Sequence, residues 1–446
     1  MKRRNIILFI LIAVALTSCD DFLDITPTGK VIAKTGEEYR ALLTNEYKYF
    51  SKDRYMTTLR TDELLMDAKK SSSTDLDAYL DLWRWKDDNP SPTTSYFSWR
   101  GYYHTIYIAN YVIEHRGEIT NATRDEVNQL LGESYMLRAY SHFLLVNLYA
   151  EPYAHCQPAT TRGVPMQLMA DVNAIPGSSS VETVYQQVLA DIDEAEKYLN
   201  VETWEEGVNY RFNKISAQAL RARTYLYMGE WQKALTAAKA VIEAHGELED
   251  LNTSTTLPNS YKSIENIVAL EKFSSNLFTV IDMPDPNFIN LYRTGDQRRT
   301  KYYKRVTSSS YNLQKGGDDE FSCSFRSAEA YLTAAECAVR LGNTADAIDY
   351  LKSLLQKRLN ATALQDEIDL ITSMTAEQLT QEILDERARE LAFEGHRWCD
   401  LRRTTQPVLT RTYNDEIFTL TPEKYTLRFP TEAVEANPEI ERWEQK

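Results

Sequence analysis

The same helix–glycine–helix pattern occurs twice in this chain and constrains its fold more than any other feature. Residues 222–235 read ARTYLYMGEWQKAL and align without gaps with residues 335–348, which read AECAVRLGNTADAI. In each copy a glycine ends the first helix, and a later alanine lets the second helix approach closely. These residues are Gly229 and Ala234 in the first copy and Gly342 and Ala347 in the second. The pattern predicts paired antiparallel helices, with chance similarity between two alanine-rich hairpins as the alternative.

Helical periodicity extends over much of the remaining chain. The two hairpins resemble tetratricopeptide repeats, but they lie much further apart than the roughly 34 residues of a continuous array, so we expect an interrupted one. Residues 127–149 have the pattern of a long, largely buried helix. A further amphipathic helix follows a capping box formed by Ser179 and Glu182.

The last long helix carries the densest set of charges. It begins at Thr375, with Gln378 completing a capping box, and continues past an interior Gly395, where we expect another element to pass close by. Residues 386–401 read ERARELAFEGHRWCDL. The spacing of acidic and basic residues in this segment predicts i,i+3 ion pairs, which would orient the helix if they were buried. The expected pairs are Glu386 with Arg389, Glu394 with Arg397, and Asp400 with Arg403.

A carboxylate pair for glycoside hydrolysis is the functional alternative for this helix. Glu386, Glu390 and Glu394 share one helical face. A general acid needs a raised pKa, and the neighbouring arginines act in the opposite direction. We therefore expect a structural role and no catalytic residue here.

Residues 247–320 differ in composition from the helical parts. They are rich in Pro, Gly, Ser and Asn, with a strand-like NIVAL at 266–270. A second short strand is predicted at 425–429. The fold class is therefore all-α dominated, with irregular tetratricopeptide-like hairpins, a loop-rich second half and few short strands.

The N-terminus has the pattern of a secretion signal. Basic residues at 2–4 precede an apolar run at 6–16, which is too short to span a membrane. Residues 16–19, LTSC, resemble a bacterial lipobox, in which Cys19 would be acylated and become the mature N-terminus. An ordinary signal peptide or a short buried helix is the alternative. Acyl chains would anchor the protein durably to a membrane.

Composition excludes several classes of function. The formal net charge of −15 argues against a nucleic-acid partner, because phosphate binding needs a basic surface. Four cysteines besides Cys19 are too few for a disulfide framework, although one bridge among them stays open, and Cys337 and Cys399 have the spacing of core residues. No nucleotide-binding, hydrolase or metalloprotease motif occurs, so we expect no cofactor and no metal site. The GGDDE run at 316–320 is interpreted as a solvated turn rather than a calcium loop.

Motifs spread over nearly the whole chain match one known family. Residues 386–403 resemble its late signature E-R-x-x-E-L-x-F-E-G-x-R-x-x-D-L-x-R. Trp99, Tyr103, Ile106 and Asn110 match an earlier W-x-x-x-Y-x-x-I-x-x-x-N helix. The other matches are SCDDFLDITPTG at 18–29, R-A-Y at 138–140, and YTLRFPTEAVEANP at 425–438. Together these segments are similar to the SusD/RagB family of nutrient-binding lipoproteins.

The resemblance implies an α-helical lipoprotein on the outer face of an outer membrane. Such proteins act with a SusC-like TonB-dependent transporter and capture an extracellular oligosaccharide or, in some members, a peptide. Asp20 and Asp21 after Cys19 resemble the export signal of this group. The implied organisation has five parts. They are a signal peptide at 1–18, a lipidated tether at 19–36, a helical half at 37–246 with an aromatic loop at 80–100, a loop-rich segment at 247–320, and a final part at 321–446.

Aromatic residues near position 90 are the best candidates for ligand contact. Trp83 and Trp85 would share a face in an extended loop and could stack on a sugar or a peptide side chain, with ordinary half-buried packing as the alternative. Asp87, Asp88 and Asn89 could bond to hydroxyl groups. The remaining candidates are Tyr96, Tyr292 and Arg293. Trp99 matches a structural position of the family, so we expect it in the core.

Three classes of function remain open at this stage. The leading hypothesis is a nutrient-capture lipoprotein that works with a transporter and has no enzyme activity. A secreted glycoside hydrolase would instead release reducing ends. A helical-repeat scaffold would bind only proteins.

Overall fold

Helices dominate the computed structural model, which describes residues 33–51, 53–66, 73–88, 90–271, 282–308, 310–315 and 324–441. The helices, numbered in chain order, are α1 (Gly36–Tyr49), α2 (Ser73–Trp83), α3 (Trp99–Glu114), α4 (Arg124–Tyr149), α5 (Val181–Tyr198), α6 (Lys214–Met228), α7 (Trp231–His245), α8 (Pro286–Ile289), α9 (Arg298–Lys301), α10 (Ser327–Arg340), α11 (Thr344–Leu355), α12 (Ala361–Ser373), α13 (Ala376–Glu390), α14 (Arg397–Arg403) and α15 (Thr431–Ala436). The all-α-dominated fold class is confirmed.

Helix α4 is the centre of the N-terminal helical layer. A capping box of Thr123 and Glu126 begins it, and almost every side chain from Gln129 to Tyr149 is buried. This burial all round the helix arises because α3 packs on one side of α4 and α5 on another. The long buried helix predicted at 127–149 is therefore confirmed, and it begins slightly earlier.

The two glycine hairpins form as the sequence predicts. Gly229 ends α6 in the left-handed conformation (φ 76°), and Gly342 follows α10 with φ 82°. Helix α7 of the first hairpin packs directly against α10 of the second. The contact includes small side chains at Ala237, Ala238 and Ala334, which allow close approach. The array that is interrupted in sequence is thus continuous in space.

The strands are short and pair in twos, each pair antiparallel. They are β1 (Leu64–Met66), β2 (Arg162–Pro165), β3 (Ser178–Ser180), β4 (Asn266–Val268), β5 (Asp282–Pro284), β6 (Tyr303–Arg305), β7 (Tyr311–Leu313), β8 (Phe325–Arg326), β9 (Leu409–Tyr413) and β10 (Glu416–Leu420). The strand predicted at 266–270 is present as β4, which pairs with β8. Strand β5 pairs with β1, so the middle of the chain returns to its beginning.

The long helix expected from Thr375 to Leu401 is broken in two. The capping box of Thr375 and Gln378 is present, but α13 ends at Glu390 and α14 begins at Arg397. Phe393 (φ 62°) and Gly395 (φ 73°) reverse the backbone between them. A Cβ on Gly395 would lie 2.8 Å from the Arg54 carbonyl oxygen. A close element was correctly predicted there, but a continuous helix was wrong.

Two further local predictions are corrected. Ser180, not Ser179, caps α5, and its hydroxyl accepts a hydrogen bond from the Thr183 amide. Residues 425–429 do not form a strand, because Tyr425 ends a 3-10 turn and the Leu427 amide donates to the Leu148 carbonyl. Tertiary contacts of this kind hold the segment without a paired strand, and the Arg402 guanidinium also donates to the Tyr425 carbonyl.

The beginning of the described chain docks onto the helical body. The Thr120 amide donates to the Lys34 carbonyl, and the Gly36 amide donates to the Thr120 carbonyl. Cys19, the rest of the leader, the GGDDE run and Cys323 lie outside the described residues. Cys156, Cys337 and Cys399 are free thiols.

Candidate functional site

A cleft of about 980 Å³ lies where α3 meets the C-terminal end of the chain. Residues 86–107 form one wall, residues 427–440 form a second wall, and residues 165–176 form the third side. We call this space the aromatic cleft. The aromatic side chains that line it are Tyr96, Phe97, Trp99, Tyr103, Tyr107, Tyr149 and Phe429.

Trp99 connects the cleft to the core. Its ring centroid lies 4.9 Å from that of Tyr103, 5.1 Å from that of Tyr149 and 5.2 Å from that of Phe429. These rings hold the indole in place, yet Trp99 remains half-buried and lines the cleft. Trp99 was expected only in the core. Its spacing in the helix predicts the packing, but the exposure depends on the distant wall that carries Phe429.

Ion pairs join the two main walls of the cleft. The Arg428 guanidinium lies 2.6 Å from the Asp88 carboxylate, and both side chains are about 70% exposed. Arg100 and Glu432 form a second exposed pair at 3.0 Å. Both pairs bring the N-terminal wall together with the C-terminal wall. Because they face solvent, each contributes only a small stabilisation and can be exchanged.

The structure places Trp83 and Trp85 in the core rather than on a loop surface. Each is only 1% exposed. Trp83 ends α2, and Trp85 follows in the left-handed conformation (φ 57°). The Trp85 indole nitrogen donates to the Arg60 carbonyl at 3.0 Å, and the Arg411 guanidinium lies over both rings. The expected extended display was wrong, because alternation in sequence does not reveal that α2 and Arg411 enclose both indoles.

Two other predicted residues line the cleft, and a third lies beside it. Tyr96 is 72% exposed on the N-terminal wall. Asp87 lines the cleft, and its carboxylate accepts two hydrogen bonds of 2.8 Å from the buried Arg60 guanidinium. Asp88 forms the wall-to-wall pair with Arg428. Asn89 lies outside the described residues.

Tyr292 and Arg293 lie apart from the cleft lining. Tyr292 is buried, and its hydroxyl lies 2.7 Å from the Arg389 carbonyl, to which it donates. Arg293 forms ion pairs with Glu367 and Glu382. Both residues therefore hold the second half of the chain together, and neither faces the cleft in this conformation.

The late signature forms a buried charge network. Glu390 lies at its centre and pairs with Arg298 at 2.9 Å, Arg326 at 2.6 Å and Arg358 at 2.9 Å. Burial by itself would raise the pKa of Glu390, but Arg358 and Arg326 lower this pKa well below its ordinary value. The full set comprises Glu265, Asp296, Glu386, Glu390, Glu394, Arg298, Lys315, Arg326, Arg358 and Arg389.

Two of the three expected i,i+3 pairs form. Glu386 pairs with Arg389 at 2.7 Å, and Asp400 pairs with Arg403 at 2.8 Å. Glu394 does not pair with Arg397, because the chain turns between α13 and α14. Glu394 instead lies 2.6 Å from Lys315, and Arg397 pairs with Asp62 at 2.7 Å.

This network is unsuited to glycoside hydrolysis. Glu386, Glu390 and Glu394 are all buried and held by cations. Burial alone would raise the pKa of Glu386 and of Glu394, but Arg298 and Arg326 respectively keep these pKa values lowered. A general acid needs a raised pKa and access to the glycosidic oxygen, and these residues have neither.

The described ranges contain neither a metal-binding cluster nor a membrane-spanning helix. Within them, no cluster of three or more His, Cys, Asp or Glu side chains has an arrangement that could hold a metal ion. Within the same ranges, no helix combines the length and the apolar character needed to cross a bilayer.

Known proteins place this architecture in one family. A family model described as starch-binding associating with outer membrane matches residues 21–226, and the SusD family model matches residues 269–440. The chain belongs to the SusD family. The resemblance inferred from its motifs is thereby confirmed.

Relatives of this SusD-family chain are similar over nearly its full length. A SusD-like protein of Formosa agariphila is 25% identical, over 91% of this chain and 93% of the relative. SusD superfamily structures from Bacteroides thetaiotaomicron and Bacteroides fragilis are 22% identical and superpose with TM-scores of 0.77 and 0.78. Each covers 92% of this chain and 100% of its own. A laminarin-binding SusD-like protein is 20% identical, with a TM-score of 0.63 over 83% of this chain and 92% of its own. These structures share the fold.

Proposed function

We propose that this SusD-family protein captures an extracellular oligosaccharide in the aromatic cleft and delivers it to a SusC-like TonB-dependent transporter. The observation that carries the proposal is the set of partly exposed aromatic rings, above all Tyr96 and Trp99, along one cleft wall. Aromatic faces stack on the apolar faces of sugar rings, while neighbouring polar groups bond to hydroxyls. A binding role without catalysis is supported by the buried state of the signature carboxylates.

The relatives support a glycan ligand. One matching family model carries the description starch-binding, and one structural neighbour is described as laminarin-binding. We therefore choose laminarin as the first probe, followed by other oligosaccharides. The polar groups available in the cleft include Ser91, Thr94, Ser95, Gln167 and Asn437.

Binding is tested by isothermal titration calorimetry on the wild type and on Tyr96→Ala. Loss of a stacking ring should weaken binding by about tenfold, which corresponds to about 1.4 kcal/mol. Tyr49→Ala is the matched control, because Tyr49 is similarly exposed and does not line the cleft. If Tyr96→Ala and Tyr49→Ala bind the probe with equal affinity, the ligand does not contact the wall that carries Tyr96. If the protein binds peptides and no glycan, the proposed oligosaccharide ligand is replaced by a peptide.

The membrane part of the proposal concerns Cys19. We propose that it is acylated and holds the protein on the outer membrane, facing the exterior. The support is the lipobox in the sequence and the family description that mentions the outer membrane. Radiolabelled palmitate should be incorporated into the wild type but not into Cys19→Ala. An unlabelled wild type that is free in the periplasm would contradict the anchor.

The transporter partner is tested separately. The tagged protein, extracted in mild detergent from its own cells, should co-purify with a large β-barrel of the TonB-dependent class. Recovery without any such barrel would contradict the transport partnership, while glycan binding could still hold. Release of reducing ends from any bound glycan would instead favour the hydrolase alternative.

A further inference from the structure

The charged side chains of the aromatic cleft balance each other. The lysine and arginine side chains that line it are Lys86, Arg100 and Arg428, and the carboxylates are Asp87, Asp171 and Glu432. His104 also lines the cleft, and its ring nitrogen lies 3.1 Å from the buried Glu46 carboxylate. The lining therefore carries no formal excess of either sign when this histidine is neutral.

Each cation of the lining already has an anionic partner. Arg100 pairs with Glu432, and Arg428 pairs with Asp88. Lys86 lies 3.8 Å from the Asp81 carboxylate. An anionic ligand that approached one of these cations would meet a charge already paired with a carboxylate, and the repulsion from that carboxylate would reduce what the ligand gains.

The rest of the molecule also disfavours an anionic ligand. The chain carries a formal net charge of −15, so a polyanion would meet repulsion during its approach. The cleft presents exposed apolar area at Tyr96 and Val172. A ligand with apolar ring faces and hydroxyl groups can use this area and leave both ion pairs intact.

We infer that the aromatic cleft selects uncharged oligosaccharides over oligosaccharides that contain uronic acids or sulfate groups. Glu432 and Asp88 set this selectivity by holding Arg100 and Arg428 in wall-to-wall pairs. The inference rests on the proposed function, since it concerns the same cleft and names the class of its ligand.

A glycan array with neutral, uronate and sulfated oligosaccharides tests the class. On the array, the wild type should prefer the neutral members. Calorimetry then compares its affinity for the best neutral probe with its affinity for a carboxylated derivative of the same backbone. Tighter binding of the carboxylated derivative would overturn the inference and leave the proposed glycan capture intact. Failure to bind any glycan would overturn the proposed function together with the inference.

Glu432→Gln tests the selectivity device directly. It releases Arg100, so the ratio of affinities for the carboxylated and neutral probes should rise by about two- to fivefold. Addition of Asp88→Asn should raise the ratio further by releasing Arg428. Glu435→Gln is the matched control, because this substitution removes the same charge from the same helix, and Glu435 does not line the cleft.

The control separates local pairing from overall charge. A ratio that stays constant in Glu432→Gln, or that rises equally in Glu435→Gln, would overturn the role of the Arg100–Glu432 pair. Circular dichroism should show the same fold for all of these variants, because the substituted carboxylates are exposed.

Discussion

The charge network and the aromatic cleft use the same kind of ion pair under opposite conditions. Around Glu390, carboxylates and arginines are buried, and each carboxylate is held by one or more cations. At the cleft, Arg100 with Glu432 and Arg428 with Asp88 are open to solvent. A buried pair cannot be replaced by water, whereas an exposed pair can. The first arrangement fixes the fold, and the second leaves groups that can respond to a ligand.

The largest effect expected from this comparison is on Glu390. Glu390→Gln removes one carboxylate charge that pairs with three buried arginines and leaves the network with an uncompensated positive charge, so the free energy of unfolding should fall by about 3–5 kcal/mol. Glu432→Gln, the exposed counterpart, should cost less than about 1 kcal/mol. Urea unfolding followed by circular dichroism measures both. If both variants lose a similar free energy of unfolding, the buried and the exposed ion pairs do not differ in the way described.

Aromatic residues provide a second comparison between interior and cleft. Trp83→Ala leaves a cavity in the core and should lower the free energy of unfolding by about 3–5 kcal/mol. Tyr96→Ala should change it by less than about 0.5 kcal/mol, because the ring is exposed. Thermal unfolding of both variants checks the order. A larger loss of stability in the Tyr96 variant would contradict the placement of Trp83 in the core and of Tyr96 on the surface.

Glu63 shows how a buried carboxyl behaves when its hydrogen-bond partners are uncharged. One oxygen accepts a hydrogen bond of 2.6 Å from the Phe393 amide, and the other lies 2.8 Å from the Thr61 hydroxyl. Burial raises the pKa of Glu63 from 4.5 to about 7. Its stabilising contribution is therefore complete below about pH 4.5 and is lost as the pH rises through about 7.

Glu63→Gln tests this pH dependence because glutamine stays uncharged and can keep both hydrogen bonds. Relative to the wild type, the variant should gain about 2–3 kcal/mol in the free energy of unfolding as the pH rises from about 5 to about 8. The measurement is urea unfolding at both pH values. A difference between the two proteins that does not change with pH would contradict a pKa of about 7 for Glu63.

The smallest effect is expected for the pair between Asp88 and Arg428. A double-mutant cycle with Asp88→Asn and Arg428→Gln should give a coupling energy of about 0.2–1 kcal/mol. High salt should reduce this value further, because both groups face solvent. Thermal unfolding at two salt concentrations checks the prediction. A salt-independent coupling of several kcal/mol would place this pair with the buried network.

The sequence predicted local structure well where a short window contains all the interacting groups. The glycine turns at Gly229 and Gly342 and the cap formed by Thr375 and Gln378 are examples. It predicted poorly where a distant segment decides the outcome. Gly395 sits in a turn between two helices because the backbone of Arg54 passes beside it.

The candidate site illustrates the same limit. Aromatic and acidic residues gather in one stretch of the sequence, and the structure places Tyr96 and Asp87 in the cleft lining and Asp88 beside it. Trp83 and Trp85 belong to the same stretch, yet both are enclosed by the fold. Composition brings such residues to attention, but whether a ring faces solvent or the core depends on the elements that pack against it.

The amino-acid sequence by itself determined the helical class, the repeated hairpins and the family motifs, because these depend on residues close together in the chain. The tertiary structure alone decided which cations surround Glu390 and where the aromatic cleft opens. Arg298, Arg326 and Arg358 come from separate segments, and residues 427–440 return to α3 to complete the cleft. Burial and charge pairing act through space, so partners distant in sequence are selected only when the whole chain packs.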